Sequence, residues 1–151
     1  MIPGEIVRHN EPVELNAGLP VTTVAITNTS PLPVHITAHY HVFEANPCLA
    51  FDRLAAWGMR IDAPSDGAVR IEPGATVAVA LVPISGARVV HGFNGAVNGP
   101  LDETDPREAL DRLVERGFLH RPSPFSSGFA VGGRLSKDVA EDDVADDAGD
   151  H

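Results

Sequence analysis

Apolar and polar positions alternate with a period close to two through much of residues 1–100, in short runs cut by turn chemistry. Val24 and Ile26 share one face of the second run, and Val34, Ile36, Ala38, Tyr40 and Val42 share one face of the third. Val77, Val79 and Leu81 do the same after Pro73-Gly74. Successive side chains of a strand point to opposite faces, so these positions are the expected core of half-buried strands. Between the runs stand Pro3-Gly4, Asn16-Ala17-Gly18, Asn28-Thr29-Ser30-Pro31, Pro64-Ser65-Asp66-Gly67, Glu72-Pro73-Gly74, Ser85-Gly86 and Asn98-Gly99-Pro100. Gly reaches positive φ without strain, Pro presets φ, and Asn and Asp hydrogen-bond nearby backbone, so each cluster reads as a turn. The pattern predicts a mainly β chain folded as a compact antiparallel barrel or sandwich.

Two segments break the alternation. Asn46 can cap, Pro47 suits a first helical position and Gly58 a stop, which predicts one short helix over 46–58. After Pro100, Thr104-Asp105-Pro106 opens an amphipathic helix with Ala109, Leu110, Leu113 and Val114 at helical spacing and Gly117 at its end. A helix of about three turns does not persist alone in water, so that stripe needs a surface to bury against. From Arg121 to Ser136 the chain is rich in Pro, Ser and Gly yet keeps Phe125, Phe129, Val131 and Leu135, the composition of a docking arm. The expected organisation is a β domain over 1–102, a C-terminal helix and arm over 103–136, and a disordered acidic tail over 137–151. That tail has seven carboxylates, one Lys and no aromatic residue, too little apolar surface to offset the entropy of ordering.

Composition narrows the function. With 151 residues the chain has room for one ordinary domain and is short of the about 250 that a TIM barrel needs. It carries 21 acidic against 11 basic residues, a formal charge of −10. Nucleic-acid affinity rests on Lys and Arg displacing counterions, so no nucleic-acid partner is expected. No run approaches the about 18 apolar residues of a membrane span, and Met1-Ile2-Pro3-Gly4-Glu5 lacks a signal peptide's basic-then-apolar layout. The single Cys48 excludes an internal disulfide framework and a Cys-type zinc cluster. A soluble cytoplasmic protein without a membrane partner is expected.

The most suggestive chemistry is His35, His39 and His41, which share one face of the predicted third strand. At about 3.3 Å per residue His39 and His41 would stand about 7 Å apart, near enough to converge on one metal ion, with Glu44 close behind. This resembles a first cupin motif and makes a cupin-like metal-binding barrel using His39 and His41 the alternative reading. Only two residues separate His41 from Glu44, fewer than that motif has, and Gly67, Pro73, Gly74, His91 and Asn94 match the second cupin motif poorly. The competing reading is histidines that pack and hydrogen-bond at an interface. Ser30, Ser65 and Ser85 sit in turns without the glycines of a nucleophile elbow, and Cys48 at the predicted helix start reads as packing. Paired carboxylates occur only in turns or in the tail. The residues themselves therefore nominate no catalytic, cofactor-binding or metal-binding set.

Longer words in the sequence go further. Met1-Ile2-Pro3-Gly4-Glu5, Glu14-Leu15-Asn16-Ala17-Gly18, His39-Tyr40-His41-Val42-Phe43-Glu44-Ala45-Asn46-Pro47, Phe51-Asp52-Arg53, Gly58-Met59-Arg60-Ile61-Asp62, Val69-Arg70-Ile71-Glu72-Pro73-Gly74 and Val89-Val90-His91-Gly92-Phe93 follow one another in order. In order and spacing the chain resembles the urease β subunit from Met1 to about Asp102. The resemblance implies a compact β domain of β-clip type, the non-catalytic small subunit of a nickel-dependent urease. It implies urease α and γ subunits as partners, in trimers of αβγ units, and accessory proteins during activation. Urea would be hydrolysed to ammonia and carbamate at two nickel ions on the α subunit, which also holds the nickel ligands, the general-acid histidine and the mobile-flap cysteine. His39, His41 and Cys48 thus receive none of those roles, and the isolated chain is expected to be inactive. The segment after Asp102 departs from the family pattern.

Overall fold

Strands form where the alternation is cleanest and where a neighbour is available to pair. The computed structural model describes residues 2–124 and contains β1 (Thr22–Asn28), β2 (Val34–Thr37), β3 (Leu49–Ala50), β4 (Met59–Ile61), β5 (Ala68–Ile71), β6 (Thr76–Pro83), β7 (Val89–Val90), β8 (Gly99–Pro100) and α1 (Pro106–Glu115). Every strand pair is antiparallel. A four-stranded sheet runs in the order β3-β1-β6-β4, with β2-β5 and β7-β8 as separate pairs. The register Val24↔Val79 and Ile26↔Val77 aligns the apolar faces of β1 and β6. Within β2-β5, Val34 faces Ile71, so both strands turn their aliphatic side chains the same way.

Two cores result. The first lies between the sheets and holds Val24, Ile26, Ile36, Leu49, Phe51, Ile61, Ile71, Val79 and Leu81. Val34, Ile36, Ala38 and Val42 are buried as the alternation predicts, while Tyr40 and Val77 are half-buried. The second core gathers Phe43, Trp57, Val90, Ala96, Leu101, Ala109, Leu110, Leu113 and Phe118. It is the surface that the α1 stripe needed: Leu110 and Leu113 bury within their own chain, and Val114 is 48% exposed. Asp105 caps α1 by accepting from the Arg107 N–H at 2.8 Å, with Pro106 at the first position. At the other end Gly117, at φ +87°, donates to the Val114 carbonyl while Phe118 N–H reaches Leu113, a Schellman closure that drops Phe118 into the second core.

Two expected elements fold differently. The helix predicted over 46–58 does not form. Asn46 does use its side chain locally, accepting from the Cys48 N–H at 2.8 Å, but Leu49 and Ala50 then pair with β1 and only Leu54–Ala56 makes a single 3-10 turn. The predicted third strand ends at Thr37 because its partner β5 begins at Ala68: Ala38 N–H bonds the Gly67 carbonyl, Tyr40 N–H turns back to Thr37, and Val42–Glu44 is a 3-10 turn. Phe125, Phe129, Val131, Leu135 and the acidic tail lie outside the described residues.

Candidate functional site

Between the two cores runs a seam of buried polar side chains, His41, Glu44, Asp52 and Arg53, drawn from the third run and the segment that follows it. The loss of the predicted strand separates the three histidines. His35 is exposed on β2, His39 is exposed in the turn, and His41 is fully buried. His39 and His41 therefore do not converge, and the geometry that the cupin-like reading requires is absent. His41 Nε2 accepts from the Gly58 N–H at 3.0 Å, so this nitrogen carries no proton and Nδ1–H donates to Glu44 Oε2 at 2.8 Å. Glu44 Oε1 in turn accepts from the Ala96 N–H at 2.7 Å. Gly58 has φ +65°, a left-handed backbone that favours glycine beside this imidazole. The rings of Phe43 and Trp57 flank His41 at centroid distances of 5.5 Å each.

Arg53 is the centre of the seam. Its five side-chain N–H groups meet five backbone carbonyls: Nε to Leu119 at 2.7 Å, Nη1 to Phe43 and Ala45 at 2.8 and 2.7 Å, and Nη2 to Asn46 and Leu49 at 3.1 and 3.0 Å. The guanidinium also lies 4.5 Å from the Phe51 ring centroid and 5.1 Å from that of Phe118. Burial pushes it down to about 10, so it stays charged at neutral pH. These bonds explain the missing helix, because one side chain collects the carbonyls of Phe43 through Leu49 into a loop around itself. Arg53 N–H, 3.3 Å from His120 Nδ1, and Nε together tie that loop to the segment after α1.

Sequence reasoning passed over Arg53. The signal available was an Arg between aromatic and aliphatic residues, Phe51-Asp-Arg-Leu, a setting in which a guanidinium finds few side-chain acceptors. Cys48, half-buried on the same loop, is a free thiol. Tyr40 closes the seam's edge: its hydroxyl accepts from Asn94 Nδ2 at 3.0 Å, and burial, reinforced by the Glu44 carboxylate, pushes the phenol up.

Chemically the seam is satisfied. Among the described residues no buried side-chain nitrogen or oxygen lacks a hydrogen-bond partner, and no group of three or more His, Cys, Asp or Glu is placed to hold a metal ion. With both ring nitrogens of His41 and both carboxylate oxygens of Glu44 engaged, the described residues do not fit a nickel site. Among them, too, no helix is long and apolar enough to cross a membrane. What is exposed instead is the run from Ile2 to Val21, which forms turns but no strand and leaves Ile6 77% and Val7 85% accessible, along with Ile2, Val13, Leu15 and Val21. It joins the fold at Asn16, whose Nδ2 donates to Asp62 at 2.7 Å and whose Oδ1 accepts from Arg60 at 2.5 Å.

Comparison with known proteins agrees with the longer sequence words. The family model of the urease beta subunit matches residues 3–100. A urease subunit beta of Frankia casuarinae is 52% identical over 111 residues, 74% of this chain and 88% of the relative. One from Haloquadratum walsbyi is 47% identical over 118 residues, 78% of this chain and 94% of the relative. One from Frankia alni is 52% identical over 102 residues, 68% of each chain. The segments His39–Pro47 and Phe51–Arg53, which carried the resemblance, are those that build the seam, and the chain belongs to the urease β subunit family, whose members are subunits of the urease complex.

Proposed function

We propose that this chain is the non-catalytic β subunit of a nickel-dependent urease, working in the cytoplasm with α and γ subunits in trimers of αβγ units. The α subunit holds both nickel ions and hydrolyses urea, and accessory proteins meet the assembly during activation. The observation that supports this division of labour is a contrast within the described residues: the buried chemistry is satisfied by the chain itself, and aliphatic residues between Ile2 and Val21 stand in solvent. Exposed aliphatic side chains spread along such a run, between the charges of Glu5, Arg8, Glu11 and Glu14, offer a surface to another polypeptide. The chain then acts by position. A metal hydrolase depends on fixed ligand geometry and a shaped, dry cavity, and a rigid β unit clasped to the catalytic subunit restrains both without touching urea.

The test is co-expression with the α and γ subunits and nickel loading, using the full chain and a form lacking residues 2–15. Deleting 2–15 removes no core side chain, so the melting temperature of the isolated chain stays within about 2 °C, a change below about 1 kcal/mol. Co-purification with the α subunit falls at least tenfold, and urease activity falls with it. The isolated full chain hydrolyses no urea. Urea hydrolysis by that chain, or undiminished assembly of the shortened form, overturns the reading.

A further inference from the structure

β2 is paired along one edge only. Its partner β5 sets Val34 against Ile71, His35 against Arg70, Ile36 against Val69 and Thr37 against Ala68, and just beyond them the Ala38 N–H bonds the Gly67 carbonyl at 2.9 Å. Hydrogen-bonded pairs alternate along an antiparallel ladder, so Val34 and Ile36 direct their backbone groups to β5, and His35 and Thr37 direct theirs the opposite way. Of those outward groups the Thr37 carbonyl is taken by the Tyr40 N–H at 3.1 Å. The His35 N–H, the His35 carbonyl and the Thr37 N–H have no backbone partner among the described residues. Both residues are exposed, and Val34–Thr37 contains no Lys, Arg, Asp or Glu, the charges that commonly guard a sheet edge.

A cleft of about 420 Å³ lies along this edge. Its lining takes in all four residues of β2 and none of β5, and the other stretch of chain along it is Ala45-Asn46-Pro47. That stretch is unable to pair with β2 itself. Arg53 Nη1 and Nη2 hold the carbonyls of Ala45 and Asn46 at 2.7 and 3.1 Å, and the Leu119 N–H holds that of Pro47 at 3.0 Å. The Ala45 N–H bonds the Val42 carbonyl, and Pro47 has no N–H to give. The guanidinium that folds the loop therefore turns its acceptors inward and leaves the β2 edge open.

Resting on the reading of this chain as a urease subunit, we propose that the β2 edge takes an extended segment of the catalytic α subunit, which adds to the β2-β5 pair as a third, antiparallel strand. The free groups are those that recognise a main chain. One residue of the incoming segment exchanges both backbone bonds with His35, and the Thr37 N–H bonds a further carbonyl two residues away. At about 3.3 Å per residue β2 spans about 13 Å, which limits the added strand to three or four residues. A second copy's β2 brings its own 45–47 stretch to the same place, so the cleft fits a single extended chain and not another sheet edge.

Amide hydrogen exchange read residue by residue, on the isolated full chain and on its nickel-loaded complex with the α and γ subunits, tests this. The His35 and Thr37 amides exchange at least tenfold more slowly in the complex, while Val34 and Ile36, held by β5, are protected in both. The variant His35→Pro removes one outward donor and leaves the β5 ladder whole, since proline fits an edge strand where its missing N–H faces away from the partner. Its isolated melting curve matches the parent's, and its co-purification with the α subunit falls at least fivefold. Equal exchange at His35 and Thr37, free and assembled, overturns the proposal, as does undiminished capture of the folded variant. Slow exchange already present in the isolated chain assigns the edge to the chain's own residues, and protection that grows with protein concentration assigns it to a second copy; either result overturns it too. A parent chain that fails to hold the α subunit at all defeats the subunit reading and the proposal together, whereas a captured parent whose β2 edge stays unprotected defeats the proposal alone.

Discussion

The seam around Arg53 and the run from Ile2 to Val21 stand at opposite extremes of satisfaction. In the seam every donor and acceptor has a partner within the chain, although it holds the residues that chemistry most often uses: an imidazole, two carboxylates and a guanidinium. The N-terminal run has ordinary residues and almost nothing to hold. Catalysis needs a titratable group that can reach a substrate, and a fixed tautomer locked between a glycine N–H and a carboxylate is unable to turn toward one. The lesson is that a buried His-Glu-Arg cluster can be architecture and not a reactive site.

The largest effect that would break this comparison is at Arg53. Replacing it by Met leaves five carbonyls without that donor, and each buried unsatisfied group costs about 1–3 kcal/mol, although the terms do not add. We expect a loss of about 4 kcal/mol or more, a fall of about 10 °C or more in melting temperature. Arg53→Lys recovers little of it, since three donors on one nitrogen do not span the five acceptors. Thermal unfolding followed by circular dichroism measures both. A Lys variant melting within about 2 °C of the parent would mean that charge alone, and not the fork of bonds, organises the loop.

A medium effect separates two histidines that sequence alone groups together. His41→Ala removes a buried ring and strands both the Gly58 N–H and Glu44, at a cost of about 2–4 kcal/mol. His39→Ala, at an exposed turn, stays within about 0.5 kcal/mol. Urea denaturation of the two single variants reads the difference. Comparable losses at both positions would restore the shared face and reopen the reading in which they act together.

What was legible follows from which forces acted locally. The β architecture, the turns and the buried sides of β1 and β2 could be read from alternation, and α1 from Asp105, Pro106 and Gly117, because caps and periodicity are written within a few residues. The helix expected over 46–58 failed because its punctuation was local and its fate was not: Arg53 draws the carbonyls from Phe43 to Leu49 around itself, and Asn28 and Thr27 claim Leu49 and Ala50 for the sheet. The histidine face failed for the same reason, since β5 runs out at Ala68. The surface that buries the α1 stripe was not legible, because Phe43 and Trp57 are distant in sequence and give no periodic sign of a second core.

The smallest expected effect sharpens the boundary between seam and surface, at His120. This half-buried ring lies where the segment after α1 meets the Arg53 loop, with Nδ1 accepting from the Arg53 N–H at 3.3 Å. Burial lowers its proton affinity below the ordinary 6.5, the Arg53 charge lowers it further, and the Asp52 carboxylate and a backbone bond at Phe51 work in the opposite direction. A histidine depressed in the fold binds its proton more readily in the unfolded chain. Its contribution to stability is therefore complete above pH 6.5 and is lost as the pH falls through that value and then through the lowered one. Protonation also removes the acceptor that Arg53 N–H uses and sets a second cation beside the guanidinium, so the Leu119–Ser123 segment should loosen first. His120→Gln keeps a neutral side chain across this range and should flatten the melting temperature between pH 7 and 5 relative to the parent, with the other histidines common to both. An identical slope in the two proteins would place His120 with the solvent-exposed residues and not with the seam.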